Sequence, residues 1–186
     1  MKINVSKTRE KYPLSPKKVL KKTLTHTLWL FILVGIGVVI AVVAAFGSSK
    51  PGVALIVIAI AAVLDLIVFG LTYWYQMWYF AVYFYEIDDD YVSIRKGPIT
   101  PNEITVPFER IQDVYVDQDL LDRIFGLYDV HISSATMSSG AAAHIDGVAK
   151  EAADGLKSLL LQTVSAKMKR GAINQTPNQA SPAKQQ

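Results

Sequence analysis

The strongest constraint in this sequence is a pair of long apolar stretches near its N-terminus. The first, Thr27 to Phe46, has twenty residues and no charge, and the second, Val53 to Tyr75, has one charged residue, Asp65. A helix rises about 1.5 Å per residue, so twenty residues match a hydrocarbon core about 30 Å thick. Only six residues separate the stretches. The sequence therefore predicts two transmembrane helices, 27–46 and 53–75, that form a tight hairpin.

Two other interpretations fit these stretches less well. A signal peptide has an apolar stretch of about 7–15 residues that ends at a small-residue cleavage site, whereas the first stretch here is longer and is followed by a second. A buried hairpin of a soluble protein would show polar positions at the period of a helix, and neither stretch does. A multi-pass membrane protein is therefore the favoured class.

The distribution of charge predicts the orientation of this hairpin. Residues 1–26 carry eight Lys or Arg and one Glu (+7), whereas the loop between the stretches carries only Lys50. Positively charged flanks stay in the cytoplasm, so we expect a basic cytoplasmic tail over 1–26, an external loop and both termini inside, at the cell (inner) membrane. Residues 76–186 carry ten basic and fourteen acidic residues (−4), which argues against a nucleic-acid partner.

Four lysines directly before the first stretch are candidates for contact with anionic lipid. Each basic side chain near a charged membrane surface is worth about 1 kcal/mol. Their alternative role is to set the topology alone, and both roles are compatible. These lysines are Lys17, Lys18, Lys21 and Lys22.

Asp65 is the one charge within the apolar stretches. A carboxylate near the bilayer centre costs about 2.5–3.5 kcal/mol on insertion scales, so it needs a proton or a partner. The matching depth of the first helix offers Gly35 and Gly37 but no polar side chain. Three interpretations stay open: a protonated Asp65 at a close helix contact beside these glycines, a contact with a second chain or another membrane protein, and a proton relay.

After the second stretch the hydrophobic pattern changes to the alternation of β-strands. Strands are predicted over 80–87, from Tyr91 to Arg95, around 104–108, 111–116 and 128–132, and near 142–145, with Asp119 and Gly126 bounding a short helix. From Val148 the period becomes helical. The sequence therefore predicts a soluble α+β domain over 80–168 and a disordered tail over 171–186.

The order of these elements resembles a known family. The motifs are Tyr91-x-x-Ile94-x-x-Gly97, Val106-Pro107-x-x-Arg110-Ile111-Gln112-x-Val114, Gln118-x-x-Leu121-x-x-Ile124-x-Gly126-Leu127, Val130-x-Ile132 and Ile145-x-Gly147-Val148. Together with the preceding hairpin, they resemble the bacterial pleckstrin-homology-like (PH-like) domains found beside membrane spans. The resemblance covers about residues 85–161.

This resemblance implies a bent antiparallel sheet, close to a partly open barrel, with a C-terminal capping helix and no enzymatic activity. Eukaryotic domains of similar fold bind phosphoinositides through a basic cluster between early strands. Here that turn is Asp88, Asp89 and Asp90, which does not favour phosphoinositide recognition.

The sequence predicts no catalytic residue, cofactor or metal site. The chain has no cysteine, and its three histidines lack the i, i+3 or i, i+4 spacing of a helical metal site. Arg110 and Gln112 are polar positions in a strand region, where they either line a pocket or mark the exposed face of the sheet. We take them as the candidate face for a protein partner.

The preferred functional hypothesis is a non-enzymatic, membrane-anchored PH-like interaction module. It would contact a protein partner, and possibly lipid headgroups, at the inner leaflet. The alternative is an accessory subunit of a membrane transport or export complex that uses Asp65 in the bilayer, or a homo-oligomer that does so.

Overall fold

A computed structural model of the chain describes residues 6–47, 51–134 and 143–174, with the backbone alone for residue 51 and residues 170–174. Most of the predicted disordered tail, 175–186, lies outside the described residues. The elements, in chain order, are α1 Lys7–Lys11, α2 Lys17–Gly47, α3 Pro51–Val82, β1 Phe84–Ile87, β2 Tyr91–Lys96, β3 Asn102–Pro107, β4 Ile111–Asp117, α4 Leu120–Phe125, β5 Tyr128–Ser134, β6 His144–Val148 and α5 Lys150–Asn174.

The apolar stretches lie in α2 and α3, and both helices extend well beyond them. Helix α2 begins directly after Pro16, ten residues before Thr27, because proline is tolerated at a helix start but not within one. Helix α3 continues to Val82. The strand predicted from Phe80 therefore begins only at Phe84, since a run of aromatic residues fits either period.

Both helices are long and apolar enough to cross a membrane, and only 6% of the most apolar window of each is buried. Large apolar side chains are exposed along both of them, whereas a helix that is apolar on all sides is normally buried in a protein core or in a bilayer. The hairpin therefore needs an apolar environment that the other described residues do not supply.

The strands form two three-stranded antiparallel sheets, in the orders β1-β2-β3 and β4-β5-β6. The expected single bent sheet, close to a barrel, is therefore not observed: the described strands form two small sheets and no closed barrel. The break lies at Pro107, which has no N–H for a strand ladder, and at the 3-10 turn Phe108–Arg110 that follows it. The Phe108 side chain is buried at this break, where the backbone passes from the first sheet to the second.

The core of the domain lies between these sheets and α5. Alternate strand residues point inward, as the pairs Tyr85–Ile94 and Val92–Val106 show in the first sheet. Helix α5 contributes buried Ala153, Leu156 and Leu160 from one face. Its contacts with β4, β5 and the 3-10 turn confirm the predicted C-terminal helix that covers the sheets.

The segment before α2 packs on the domain and covers two sheet edges. The Ile87 N–H of β1 donates to Thr8 Oγ1 at 3.0 Å. At the other sheet, the Ser15 N–H donates to the Gly147 carbonyl of β6 at 2.9 Å, and Leu14 forms an isolated bridge with Val148. Residues 6–26, although they lie in the predicted basic tail, are thus an integral part of the domain.

Candidate ligand site at the base of the helical hairpin

The first two and a half turns of α2 present basic side chains to the soluble domain. Lys18, Lys22 and His26 are spaced by four residues and therefore share one helix face. Lys21 lies on a neighbouring face. The Lys18 and Lys21 side chains are buried, so the domain must supply partners for their charges.

Asp146 of β6 is the centre of the larger cluster. This carboxylate is buried, and the ammonium groups of Lys18, Lys22 and Lys96 lie 3.1, 3.2 and 3.5 Å from it. Tyr83 lies between α3 and β1 in the chain, and its hydroxyl donates to Asp146 Oδ1 at 2.9 Å. One carboxylate thus joins α2, β2, β6 and the end of the hairpin.

The pKa values show that positive charge dominates this cluster. Burial alone would raise the pKa of Asp146, but the charges of Lys18, Lys96 and Lys22 outweigh it and hold that pKa well below its usual range. Burial lowers the pKa of Lys96, and Asp146 offsets this only in part. Burial, with the nearby charge of Lys96, lowers the pKa of His144 to about 4, so His144 is neutral at pH 7.

Lys18 is held in place without an aligned hydrogen bond. Its Nζ lies 3.1 Å from Asp146 Oδ1, close enough for an ion pair, but the angles of this contact are poor for a hydrogen bond. The ammonium lies 3.8 Å from the centre of the Tyr83 ring, a cation–π contact. A Cβ at Gly147, which has φ of +78°, would lie 2.6 Å from Lys18 Cδ. Glycine at position 147 therefore leaves the space that the Lys18 side chain occupies.

A second ion-pair cluster fixes α4 against α2. Lys21 Nζ lies 2.6 Å from Asp122 and 2.8 Å from Asp119. These two aspartates form a capping box at the start of α4, and Gly126 ends the helix in the left-handed conformation. The predicted cap and stop residues are confirmed, and they orient both carboxylates toward Lys21.

Between the hairpin and the domain lies a cavity of about 300 Å³, which we call the junction cavity. It lies at the level where the apolar stretches begin and end, because His26 directly precedes the first stretch and Tyr75 ends the second. It is lined by Lys18, Lys22, His26, Tyr75, Gln76, Tyr79, Lys96, His144 and Asp146. This arrangement can bind an anion at the level of the hairpin base.

The four lysines predicted to contact lipid occupy different environments. Lys18 and Lys21 are buried in the two ion-pair clusters and do not reach outward in this conformation. Lys17 is exposed, with its Nζ 3.4 Å from the Phe125 carbonyl, and the Lys22 side chain is partly exposed. For lipid contact, Lys17 and Lys22 are the accessible members of the set.

Asp65 and the two glycines are not brought together. Asp65 is half-buried on α3, and its Oδ1 has no hydrogen-bond partner among the described residues. Gly35 and Gly37 are exposed on α2, and nothing lies within 4 Å of where a Cβ would stand at either. No close helix contact is therefore formed at these glycines by the residues that the structure describes.

Arg110 and Gln112 are both exposed. Arg110 ends the 3-10 turn and Gln112 lies on β4. They form part of the surface of the second sheet and line no described cavity. They stay candidates for a partner face.

Asp146, Lys96, His144 and Tyr83 are site residues that sequence reasoning missed. They come from three separate parts of the chain and carry no motif. One signal was available, because the basic N-terminal part (+7) and the acidic remainder (−4) are complementary in charge. That complementarity predicts pairing but cannot identify which residues pair.

A group of possible metal ligands lies on the second sheet. Asp117, Asp129 and His131 each place one potential ligand atom within 4.8 Å of the others. We assign no metal to this group, because its members already interact with other groups of the protein. Asp129 Oδ1 accepts the Gly147 N–H at 2.7 Å, and a ring nitrogen of His131 lies 3.1 Å from Asp117.

The fold and the site define a class of protein: a small α+β domain joined directly to a long apolar helical hairpin. The family model described as "Bacterial PH domain" matches residues 24–164, about three quarters of the chain. The chain therefore belongs to the bacterial PH domain family, as the motifs predicted. The matched region includes the hairpin as well as the sheets. Neither a search of curated proteins nor a search of solved structures found a match.

Proposed function

We propose that this protein is a membrane-anchored interaction module. In this proposal α2 and α3 cross the cell (inner) membrane, both termini are cytoplasmic, and the PH-like domain is held at the inner leaflet. PH domains are generally non-catalytic interaction modules, which supports an adaptor role for this member of the family. The partner is a protein, which the domain meets at the membrane surface.

The observation that carries this proposal is the rigid joint between hairpin and domain. Helix α3 passes into β1 with only Tyr83 between them, and α2 is fixed by buried ion pairs from Lys18 and Lys21. A flexible tether would leave the domain free to rotate. This joint instead fixes which surface points away from the hairpin, and such fixed presentation suits a docking module.

Exposed apolar side chains support a domain that is held close to the membrane surface. Leu120 and Ile124 are exposed on α4, which packs against α2. Ile99 is exposed in the loop that follows Lys96, a residue of the junction cavity. Exposed apolar side chains such as these are stabilised when a membrane surface covers them.

The sheet edges support one docking position for the proposed protein partner. The N-terminal segment covers the outer edges of β1 and β6, whereas β3 and β4 end their sheets with no further strand in the described part of the chain. An uncovered edge offers N–H and C=O groups to an added strand. Gln112 lies on β4 and Arg110 directly precedes it, so the proposed partner face is this edge.

Site-specific photocrosslinking in cells tests the proposal. A photoreactive residue at Gln112 should capture a foreign protein in the membrane fraction. The matched control is Gln162, an exposed glutamine on α5, which should capture nothing in common with it. Equal capture at both positions, or recovery of the protein in the soluble fraction, would contradict the module.

The second candidate is an accessory subunit of a membrane complex, and Asp65 is the observation that favours it. An intramembrane carboxylate such as Asp65, whose Oδ1 has no partner among the described residues, would be stabilised by a donor from another helix. The exposed glycines Gly35 and Gly37 would permit close approach of such a helix. Asp65→Asn should then abolish function in whole cells while the protein stays folded and in the membrane.

Crosslinking from the position next to Asp65 separates the two candidates. Capture of the same foreign protein from Asp65 and from Gln112 supports a subunit of a membrane complex. Capture of a second copy alone at Asp65 supports a homo-oligomer whose helices satisfy each other's carboxylates.

A further inference from the structure

The junction cavity contains more positive charge than its own residues balance. Lys18, Lys22 and Lys96 converge on the single carboxylate of Asp146. Asp129 lies farther away and accepts the Gly147 N–H, and even with its charge counted an excess of positive charge remains. Lys21 does not change this balance, because its own partners are Asp119 and Asp122.

The hydrogen-bonding capacity of the cavity is also unused. Each ammonium has three donors, whereas one carboxylate offers about four lone-pair positions. One of these already accepts the Tyr83 hydroxyl. Lys18 is one of the residues that line the cavity, and its buried Nζ, 3.1 Å from Asp146 Oδ1, has no aligned acceptor among the described residues. An oxygen-rich ligand beside these ammonium groups would supply acceptors for the donors that Asp146 leaves unused.

The side chains that line the junction cavity favour one chemical class of ligand. Lysine acts as a compact point charge that suits phosphate oxygens. His144 is neutral at pH 7 because burial and the nearby lysine charge lower its pKa, so it can add a donor without adding charge. A volume of about 300 Å³ is at the small end of ligand cavities, which run from about 300 to 1,000 Å³. A phosphate group fits both the charge and the size.

We propose that the junction cavity binds a phosphate-bearing anion, which the ammonium groups of Lys22 and Lys96 hold, while the charge of the buried Lys18 adds to the attraction. The anion is either the headgroup of an anionic phospholipid or a free phosphate compound. The lipid source rests on the proposed membrane anchoring, because only then does the cavity lie at headgroup level. The soluble source does not depend on it.

Thermal unfolding of the full-length protein in a non-ionic detergent and a phosphate-free buffer tests this proposal. Three probes are added separately: inorganic phosphate, short-chain phosphatidylglycerol, and a diacylglycerol with the same chains and no phosphate. We expect phosphatidylglycerol to raise Tm and the diacylglycerol to leave it unchanged. A shift with inorganic phosphate as well assigns the site to phosphate in general, and no shift with either phosphate probe overturns the proposal.

Charge-removing variants locate the effect. Lys22→Gln and Lys96→Gln should each weaken the response to phosphatidylglycerol roughly tenfold, the loss expected for one charge-assisted hydrogen bond. Lys17→Gln is the matched control, because it removes the same charge from the same helix outside the cavity lining. Equal weakening in all three variants would indicate a diffuse surface effect and would overturn the site.

A measurement on the unmodified protein covers the case in which a variant fails to fold. The Lys22 side chain is partly exposed and should react with an amine-selective acylating reagent. Phosphatidylglycerol should slow its modification, read by mass spectrometry, relative to Lys17. Equal reactivity with and without the lipid would contradict the proposal. Cell fractionation tests anchoring separately, so a failed cavity and a failed anchor give different results.

Discussion

The two ends of α2 show the opposite of the usual burial pattern, because charged side chains are buried at one end and apolar side chains are exposed at the other. At its start Lys18 and Lys21 are 2% and 4% exposed, whereas farther along Leu33 and Ile40 are 65% and 64% exposed. In water both arrangements are unfavourable, because charges lose hydration when buried and apolar side chains lose burial when exposed. Each becomes favourable with a partner. For the lysines the partner is a set of aspartates, and for the apolar side chains we propose that it is the bilayer.

The two halves of α2 are thus suited to two different environments. The basic half of α2 is a structural part of the domain, and in the proposed function the apolar half anchors it. The ion pairs at their border would then connect the position of α2 in the membrane to the fold of the domain. The following predictions test each half, from the largest expected effect to the smallest.

Removal of the Asp146 charge should have the largest effect. Asp146→Asn leaves three ammonium groups around a neutral side chain, and breaking a buried ion pair from one side costs about 3–5 kcal/mol. We expect a large fall in Tm of the full-length protein in detergent. Asp154→Asn, at an exposed position on α5, is the control and should change little. Similar Tm values for the two variants would show that the cluster does not hold the domain in place.

A charge in the apolar half should be nearly as costly if the bilayer is its partner. Ile36 is exposed near the middle of the first apolar stretch. Ile36→Arg should add about 2.5–3.5 kcal/mol to membrane insertion and reduce the membrane-bound fraction in cells. Met168→Arg, on the exposed face of α5, should have no such effect. If both variants stay in the membrane fraction equally, the exposed face of α2 does not contact lipid.

The Lys21 cluster should contribute less than the Asp146 cluster. Lys21→Met leaves Asp122 buried and unpaired, but Asp119 is mostly exposed and regains water. We expect a loss of about 1–3 kcal/mol, measured by thermal unfolding. Lys17→Met is the matched control on the same helix. A larger loss than for Asp146→Asn would reverse the assigned order of the two clusters.

The close contact at Gly147 predicts a smaller effect. Gly147→Ala would place a Cβ 2.6 Å from Lys18 Cδ in a backbone conformation with φ of +78°. A left-handed conformation costs about 1–2 kcal/mol for a residue other than glycine, and Lys18 would have to move as well. Gly126→Ala has a similar φ, of +67°, with nothing within 4 Å of its Cβ position, so the difference between the two isolates the contact with Lys18.

The smallest effect at neutral pH concerns His144, which is already uncharged there. Its pKa is lowered to about 4 in the folded protein from a usual 6.5, so between these values the unfolded chain binds more protons. Stability should therefore fall as the pH drops from about 6.5 to 4, and Asp146 adds a further loss below its usual 3.8. His144→Gln should reduce the slope between pH 6.5 and 4 only. Parallel curves for the two proteins would mean that His144 does not carry this dependence.

Much of the fold was predictable from local patterns. The apolar stretches, the alternating strands from Tyr91 onward and the capped helix α4 all follow from hydrophobic period and from Asp119 and Gly126. The helix ends were less predictable. Between Tyr75 and Val82 the sequence contains no glycine or proline that would end a helix. Aromatic residues suit helices and strands alike, so α3 continues to Val82.

The candidate site could not be predicted in the same way. Lys18 and Lys22 were recognised as a basic cluster, but their contact with Asp146 joins positions more than 120 residues apart. A charge pattern shows how many partners are needed and does not show where the chain brings them. The separation into two sheets likewise depends on Pro107 and on the burial of Phe108.

The sequence by itself determined that the chain has a long apolar hairpin, an α+β domain and membership of the bacterial PH domain family, because these follow from composition, period and ordered motifs. Only the tertiary structure decided that the basic segment is part of the domain, that Asp146 gathers three lysines, and that a positively charged cavity lies at the hairpin base. The physical reason is range: period and capping act within a few residues, whereas a buried charge is stabilised by whichever partners the folded chain brings to it.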